Sequence, residues 1–382
     1  MHIRNAVVVA HKFHTTPEDD LIAYLNASGA VNVLHICHSF SDAPDRRSSY
    51  RWYRNGKLLK QGHTRDYRFL PEPLIYLKEF VSTLRWVAGS FVKWDRFVGM
   101  DGLCTLFGLV LRLGGRVSSV NYWNIDLVPE ARFPQRWKDS IYRRVNRFSS
   151  LRANEMWDHT DLMVTEKERI LGLSPSDYRR HRVVPLGVWT DRMRPRSYQE
   201  CHSDTLVFMG HLLEKQGVQN VIRAIPRIIE QIPTFRFKVI GGGVFEPELR
   251  KLADSLGVDK YVIFCGRIEQ DEVMEEEVAQ CGAGIAPYIR DLDTFTQFGA
   301  DPGKVKIYLS CGLPILLTDV PWIASEIQAR ECGTIISEDI DDIATKVINI
   351  LTDRATNQRC RDNAVVYARE FDARRIFDGL SL

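Results

Sequence analysis

The sequence has no uncharged apolar stretch long enough to cross a bilayer. The nearest candidate, 100–111, is interrupted by Asp101 and followed by Arg112, which favours a core helix. The apolar run 6–10 is too short for the hydrophobic part of a secretion signal and is typical of a buried strand. With 45% hydrophobic and 26% charged residues, the composition predicts an ordinary folded, cytoplasmic protein.

Sequence motifs for metals and nucleotides are also missing. The eight cysteines form no Cys-x-x-Cys pair, which indicates neither a zinc motif nor a disulfide framework and fits a reducing compartment. The glycine run 241–243 lacks the GxGxxG spacing of a dinucleotide-binding loop and the Lys-Ser/Thr of a P-loop. No Asp-x-Asp motif stands in a metal-binding context. We therefore expect no metal requirement and no cofactor.

Charge is distributed unevenly along the 382 residues. Residues 1–190 contain 28 Lys and Arg against 19 Asp and Glu, a net charge of +9, whereas the remainder carries −7. A basic half joined to an acidic half predicts that the first half meets an anionic partner. Nucleic acid, a phosphorylated substrate and an acidic membrane surface all fit this pattern.

The second half alternates short apolar strands with helices. The predicted strands are 205–209, 235–240, 261–264, 283–287 and 315–318, and the predicted helices are 218–231, 246–256, 272–279 and 304–310. Repeated strand–helix units with short apolar strands indicate a parallel, doubly wound sheet.

The first half follows the same scheme less plainly. We predict strands at 7–10, 31–37, 117–122, 162–165 and 182–185, and helices at 18–26 and 137–158. The polar segment 189–204 lacks periodicity and is the predicted linker. The predicted parts are a first domain 1–188, the linker, a second domain 205–360 and a C-terminal helical segment 361–382 that packs back on the first domain. The fold class is α/β, with two doubly wound Rossmann-like domains facing a central cleft.

Residues 301–327 combine a turn, a basic helix start, a Gly-Leu-Pro break and a strand. Asp301 and the following proline suit the start of a helix, and Gly303 leaves the backbone open. Lys304 and Lys306 then lie near backbone amides and the positive end of the helix dipole, which favour a phosphate or diphosphate. The alternative is a capped surface helix with solvated lysines.

A second anion-binding candidate follows the strand that ends at 209. Gly210 permits close backbone approach, and His211 and Lys215 are able to reach an anion. Gly242 lies in a similar glycine-rich loop after the next strand. Solvated charges in ordinary strand–helix loops are the alternative explanation.

Several of these segments resemble glycosyltransferase family 4, which has the GT-B fold. The similar segments are FMGHLLEKQGVQNVIRAI (208–225), KVIGGG (238–243), VIFCGRI (262–268), PGKVKIYLSCGLPILLT (302–318) and VVPLGV (183–188). The resemblance covers about residues 183–350. It implies a glycosyltransferase that moves a sugar from a nucleotide-diphosphate donor to a glycan or lipid-linked acceptor, with retention of configuration.

The chain departs from the family pattern at four positions. His211 replaces an arginine and Gln216 a lysine, although Lys215 is adjacent. Ile307 stands where the resemblance requires a ribose-binding glutamate, and Gly299 stands where a paired carboxylate is expected. Asp301 or Asp293 is a candidate substitute.

The resemblance and the charge pattern together give a donor-binding set. Transfer requires stabilisation of the departing diphosphate, which Lys304, Lys215, Arg267 and helix amides are able to supply without a metal. The complete predicted set is Gly210, His211, Lys215, Gly242, Arg267, Asp301, Gly303, Lys304 and Tyr308.

Candidate acceptor residues follow two strands of the first half. His11 and His14 lie near the end of the first strand, where histidines can act as acid or base. Tyr122 and Trp123 suit sugar stacking, and Asp126 is a candidate base that would imply inversion. Asp126 is equally suited to capping a helix.

Basic and aromatic residues alternate between Arg46 and Arg68. Such a segment suits stacking on nucleic-acid bases, a lipid headgroup layer or a mobile solvated loop. Peripheral contact with a membrane that holds a lipid-linked acceptor fits the glycosyltransferase hypothesis, and no nucleic-acid partner is expected. A non-catalytic nucleotide-sugar-binding protein remains an alternative because of the missing carboxylates.

Overall fold

The computed structural model describes residues 3–11, 17–39, 46–66, 69–125, 131–133, 135–192, 194–292 and 299–380. The chain divides into two units, Met1–Pro185 with Arg374–Leu382, and Leu186–Ala373. The segment predicted as a linker, 189–204, therefore lies within the second unit. Each unit is built around its own sheet, as the predicted fold class requires.

The first unit contains an eight-stranded sheet. Its strands are β1 Asn5–His11, β2 Asn32–His38, β3 Ser49–Arg54, β4 Lys57–His63, β5 Trp94–Gly99, β6 Val117–Asn124, β7 Glu155–Asp158 and β8 His181–Val183. Its helices are α1 Glu18–Ala27, α2 Glu72–Ala88, α3 Gly102–Leu113, α4 Arg136–Arg152 and α5 Asp161–Leu171. The strand order is β4-β3-β2-β1-β5-β6-β7-β8.

Strand β1 lies at the centre of this mixed sheet because its side chains are apolar on both faces. Residues 6–10 are buried, and β1 pairs in parallel with β2 and β5. Helix α3 packs close to β5, since Gly108 faces the Phe97 ring at a distance that leaves no room for a Cβ. Asp101 caps α3 by accepting a hydrogen bond from the Cys104 N–H at 2.7 Å.

The basic segment, for which a mobile solvated loop was one of the alternatives, contains an antiparallel hairpin, β3–β4, at the edge of this sheet. Asn55 and Gly56 both have positive φ, 47° and 73°, and form the two-residue turn. Asn-Gly is a preferred sequence for such turns because both positions tolerate the left-handed conformation. Residues 49–63 therefore form two paired strands, and Lys57 and Lys60 are exposed on the edge strand β4.

Two sequence predictions for the first unit are wrong. The predicted helix 137–158 ends at Arg152, where the Asn154 N–H donates to the Val120 carbonyl at 2.7 Å and leads the chain into β7. The predicted strand 162–165 is part of helix α5, which Thr160 caps through a 3.0 Å hydrogen bond from the Met163 N–H. A short apolar run fits either a strand or a helix, so the cap decides the structure.

The second unit has a six-stranded parallel sheet in the order β11-β10-β9-β12-β13-β14. The strands are β9 His202–Met209, β10 Arg236–Ile240, β11 Val262–Gly266, β12 Cys281–Ala286, β13 Ile315–Thr318 and β14 Gly333–Ile336. The helices are α6 Val218–Gln231, α7 Glu246–Ser255, α8 Asp271–Ala279, α9 Gly303–Ser310, α10 Ala324–Ala329, α11 Ile340–Thr352 and α12 Arg354–Ala368. The predicted strands and helices of this half are confirmed to within a few residues.

Burial follows the predicted periodicity in the second unit. In α6, Val221, Ile222, Ile225 and Ile228 are fully buried against the sheet, as apolar spacing of three and four predicts. A last helix, α13 Ala373–Asp378, carries the chain back to the first unit. There the Tyr24 hydroxyl donates to Asp378 at 2.7 Å.

Among the residues that the structure describes, no helix is both long and apolar enough to cross a membrane.

Candidate functional site

The centre of the second sheet is a point where the strand order reverses. From β9 the chain proceeds outward to β10 and β11, and it then returns to the other side of β9 with β12 and β13. Ligands of open parallel sheets bind outside the carboxyl ends of the strands at such a reversal. In this unit those ends are Met209 and Ala286, and we call the adjoining crevice the β9/β12 crevice.

Lys304, near the start of α9, extends to this crevice. Its Nζ lies 4.3 Å from the ring centroid of Phe208 and 4.9 Å from that of Tyr288, and it donates a hydrogen bond to the Gln216 side chain. Ring faces favour a cation and hold the flexible side chain in one place. The result is a positioned ammonium beside the first turn of a helix, where amides and the helix dipole also favour an anion.

Glycine is required at the floor of the crevice. Gly210 has φ +141°, and a Cβ there would lie 3.1 Å from Lys304 Nζ. Gly241 has φ +137°, and a Cβ there would lie 1.9 Å from the Gly210 carbonyl oxygen. The loops after β9 and β10 therefore pack backbone against backbone at Gly210 and Gly241.

Tyr308, predicted to bind the donor, instead holds β9 and β12 together. Its hydroxyl accepts from the Met209 N–H at 2.8 Å and donates to the Ile285 carbonyl at 3.3 Å. The side chain is fully buried, and Gly284 is small enough to receive its ring. Burial raises the pKa of Tyr308 well above its usual value, so the phenol stays neutral. This geometry fits a role in shaping the crevice.

Asp301 and Lys306 form a buried ion pair, which corrects the expectation that Lys306 lies near a bound anion. Lys306 Nζ lies 2.5 Å from Asp301 Oδ2 and donates to the Leu186 carbonyl at 2.9 Å. Asp301 also accepts from the Leu186 N–H at 2.6 Å. Burial lowers the pKa of Lys306, and the Asp301 carboxylate opposes that shift. The pair therefore links Leu186, the first residue of the second unit, to helix α9 through hydrogen bonds.

The other predicted donor residues lie along the same carboxyl edge of the sheet. His211 is exposed directly after β9, and Arg267 is exposed directly after β11, with its Nε 3.7 Å from Glu269. Lys215 is half-buried, and its carbonyl accepts from the Ile289 N–H at 3.0 Å. Gly242 accepts from the Leu212 N–H at 3.1 Å, and Gly303 begins α9. Their donor contacts stay predictions.

The structure also describes the two positions where the family pattern has a carboxylate and this chain does not. Ile307 is half-buried and packs against the apolar cluster between the sheet and α9. Gly299 has φ +100°, a conformation that residues with a Cβ rarely adopt. Position 299 therefore suits a turn better than it suits an acidic side chain.

The predicted acceptor residues of the first unit fall into two groups. Tyr122 and Trp123 are about 1% exposed. Tyr122 donates to Asn146, and Trp123 packs edge-on against Trp157 at 5.6 Å. Both rings would have to leave the core to stack on a sugar, so their burial gives them a packing role. His14 and Asp126 lie outside the described residues.

His11 ends β1 and lies between two carboxylates. Its Nδ1 lies 2.6 Å from Asp101 Oδ2, and its Nε2 lies 3.1 Å from Glu79 Oε2. Burial lowers the pKa of His11, but interactions with Cys104 and Asp101 outweigh burial and hold it well above the ordinary value. Residues 79, 101 and 104 were not singled out as partners from the sequence, because nothing in their spacing links them to position 11.

Sequence reasoning also missed three partners of Lys304. Phe208 and Tyr288 lie on or directly after strands that are neighbours only in the folded sheet. Gln216 was recognised only as a departure from a family pattern, yet its amide oxygen accepts from Lys304. The available signal for Phe208 and Tyr288 was their position near strand ends beside the reversal point, whereas Gln216 lies in a short 3-10 turn, Glu214–Gln216, before α6.

Residues 203–353 match the family model described as glycosyl transferases group 1. Most of the second unit therefore resembles a glycosyl transferases group 1 domain. The matched residues include all six strands of the second sheet, apart from His202 at the start of β9. They also include Gly210, Gln216 and Lys304. The sequence-based resemblance to this type of glycosyltransferase is thus confirmed.

A curated relative with a described activity matches part of the chain. It is the GDP-mannose-dependent alpha-(1-6)-phosphatidylinositol monomannoside mannosyltransferase of Mycobacterium tuberculosis, 24% identical over 184 residues, which cover 45% of this chain and 46% of the relative. The chain thus matches the curated relatives over about half of their length.

Solved structures match the whole chain in fold. Sucrose-phosphate synthase from Thermosynechococcus elongatus superposes with a TM-score of 0.70 at 14% identity, covering 99% of this chain and 97% of the other. The Anabaena protein Alr3699/HepE in complex with UDP-glucose gives a TM-score of 0.68 at 12% identity, covering 99% of each chain. The predicted GT-B fold is confirmed.

Proposed function

We propose that this protein is a glycosyltransferase that transfers a sugar from a nucleotide-diphosphate donor bound by the second unit. The observation that carries the proposal is the position of Lys304, whose ammonium stands at the strand reversal of a group 1 domain. Negative charge accumulates on the diphosphate as the glycosidic bond breaks. A preorganised cation and helix amides stabilise that charge more strongly in the transition state than in the bound donor.

Similar proteins suggest which nucleotide sugars are candidate donors. One similar protein uses GDP-mannose and another is solved with UDP-glucose, so both nucleotides belong among the candidates. The chain's half-buried Ile307 offers no carboxylate to a ribose. Retention of configuration follows from family resemblance, whereas inversion would require a base such as Asp126. NMR of the anomeric carbon in the product separates the two outcomes.

Donor binding is expected to raise the thermal stability of the purified protein. A ligand present at 100 times its dissociation constant adds about 2.7 kcal/mol to the stability of the native state. For a unit of this size that corresponds to roughly 5–10 °C in Tm. The test is differential scanning fluorimetry with UDP- and GDP-sugars, with the free sugars as controls. A panel in which no nucleotide sugar shifts the Tm would argue against the donor site.

The acceptor that we propose is a glycan or a lipid-linked glycan held by the first unit. Helix α4 of that unit presents an apolar stripe in which Trp137 is 60% exposed, Ile141 51% and Phe148 47%. These positions recur at intervals of four and seven residues and share one helical face with the exposed Arg144. A basic helix with exposed aromatics suits the headgroup layer of an anionic membrane.

Serine at both Trp137 and Phe148 is therefore expected to reduce binding to vesicles of phosphatidylcholine and phosphatidylglycerol by tenfold or more. Insertion of an apolar side chain contributes about 1.5–3 kcal/mol when it is fully buried, so losing two partly inserted rings exceeds one tenfold step of about 1.4 kcal/mol. Co-sedimentation measures the binding. The matched control is Val366→Ser, which changes an exposed apolar residue on α12 of the second unit. Equal binding by wild type and the double variant would reject this surface.

A further inference from the structure

We propose that His11, Asp101 and Cys104 form a binding site for a thiophilic divalent cation of the Zn²⁺ class. All three residues are buried, and one ligand atom from each lies within 4.8 Å of the other two. His11 comes from the end of β1, whereas Asp101 and Cys104 come from the start of α3. The site lies in the first unit and does not depend on the donor site in the second.

The three ligand types suit this class of cation. Imidazole nitrogen, carboxylate oxygen and thiolate sulfur are the side chains that bind Zn²⁺, usually with bonds of about 2.0–2.3 Å. Tetrahedral bonds of that length separate ligand atoms by roughly 3.3–3.6 Å. Cys104 Sγ lies 3.4 Å from His11 Nδ1, and Asp101 Oδ2 lies 2.6 Å from the same nitrogen. The Asp101–His11 pair has to open by less than about 1 Å to admit the ion.

Glu79 supplies the outer partner that such a site requires. A histidine that ligates a metal commonly donates its other ring N–H to a carboxylate, which fixes the ring and its tautomer. His11 Nε2 lies 3.1 Å from Glu79 Oε2, on the opposite side of the ring from Asp101 and Cys104. Glu79 is fully buried, and its second oxygen has no hydrogen-bond partner among the described residues. Burying an ionised carboxylate is unfavourable in free energy unless a positive charge lies nearby.

Cation binding is coupled to proton release. A metal-bound cysteine is a thiolate and a metal-bound histidine is a neutral imidazole, so the entering ion displaces the protons that these ligand atoms carry.

The site lies where a ligand of the first sheet is expected. The strand order reverses between β1 and β5, and both His11 and Asp101 lie at the carboxyl ends of these strands. The side chains of His11 and Asp101 are 9% and 12% exposed. Three protein ligands leave a fourth position of a tetrahedral ion for water or for a substrate oxygen.

Cobalt titration of the tag-free protein tests the site without any activity measurement. Wild type is expected to bind one equivalent of Co²⁺ with a near-ultraviolet band from thiolate-to-cobalt charge transfer. Cys104→Ser should abolish the band, whereas Cys37→Ser, which changes a half-buried cysteine on β2, should leave it intact. Glu79→Gln should keep the band but weaken the affinity by about 10- to 100-fold.

Absence of the band in wild type, or its persistence in Cys104→Ser, would overturn the proposal and leave His11 as an imidazolium between two carboxylates. If Cys104→Ser does not fold, the wild-type spectrum and Glu79→Gln still decide. Thermal shifts with nucleotide sugars on the same samples separate failure of this site from failure of the donor site.

Discussion

Replacing Lys304 with methionine is expected to weaken binding of nucleoside diphosphates by about 10- to 100-fold. A hydrogen bond between charged groups contributes about 1.5–3 kcal/mol, and each 1.4 kcal/mol corresponds to a factor of ten. Turnover should fall further, by about 100- to 1,000-fold, because the leaving diphosphate carries more charge in the transition state than in the bound donor. Isothermal titration calorimetry and a donor-consumption assay measure the two effects.

Methionine is the appropriate replacement because its unbranched side chain still packs between the Phe208 and Tyr288 rings. Stability should therefore change little. The matched control is Lys251→Met on α7, which removes an exposed lysine from the same unit. If Lys304→Met binds nucleoside diphosphates as tightly as wild type does, Lys304 is not part of the donor site.

Lys306→Met is expected to reduce the free energy of unfolding by about 3–5 kcal/mol. The substitution leaves the Asp301 carboxylate buried without its ammonium partner, and an uncompensated buried charge is strongly destabilising. For a unit of this size the Tm should fall by about 10 °C. Urea denaturation followed by circular dichroism measures the loss. The double variant with Asp301→Asn should recover part of it, because a neutral amide remains in place of the charge.

An exposed ion pair of the same unit provides the control for this loss. Arg227 and Asp341 are paired, with side chains 50% and 74% exposed, and Arg227→Met should cost less than about 1 kcal/mol. Residual nucleotide affinity of folded Lys306→Met should match that of wild type. Wild-type stability together with lost nucleotide affinity would instead assign Asp301 and Lys306 to the ligand, as the sequence suggested.

The second unit was predictable because central strands such as β12 and β13 are buried on both faces and helices such as α6 have regular apolar spacing. Strand 315–318 and helix 218–231 have the bounds expected from sequence. The first unit was less predictable at its edge. Strands β3 and β4 carry charged, half-exposed side chains, so no continuous apolar run marks them. The Asn55-Gly56 turn was the signal that a hairpin was present.

Local periodicity identified Lys304 but not the different role of Lys306. Two positions along an α-helix are about 200° apart, so both side chains cannot reach the same crevice. The sequence therefore held enough information to separate them, and the buried Asp301–Lys306 pair shows the outcome. Contacts between distant segments were not predictable in this way. His11 meets Asp101 and Cys104 only because β1 and β5 are neighbours in the sheet.

The most direct measurement is a crystal structure of the protein with a nucleoside diphosphate. We expect the diphosphate in the β9/β12 crevice, with a β-phosphate oxygen about 2.7–2.9 Å from Lys304 Nζ, the range of charge-assisted hydrogen bonds. A diphosphate bound at the amino ends of the strands, or in the crevice without contact to Lys304, would contradict the proposed donor site.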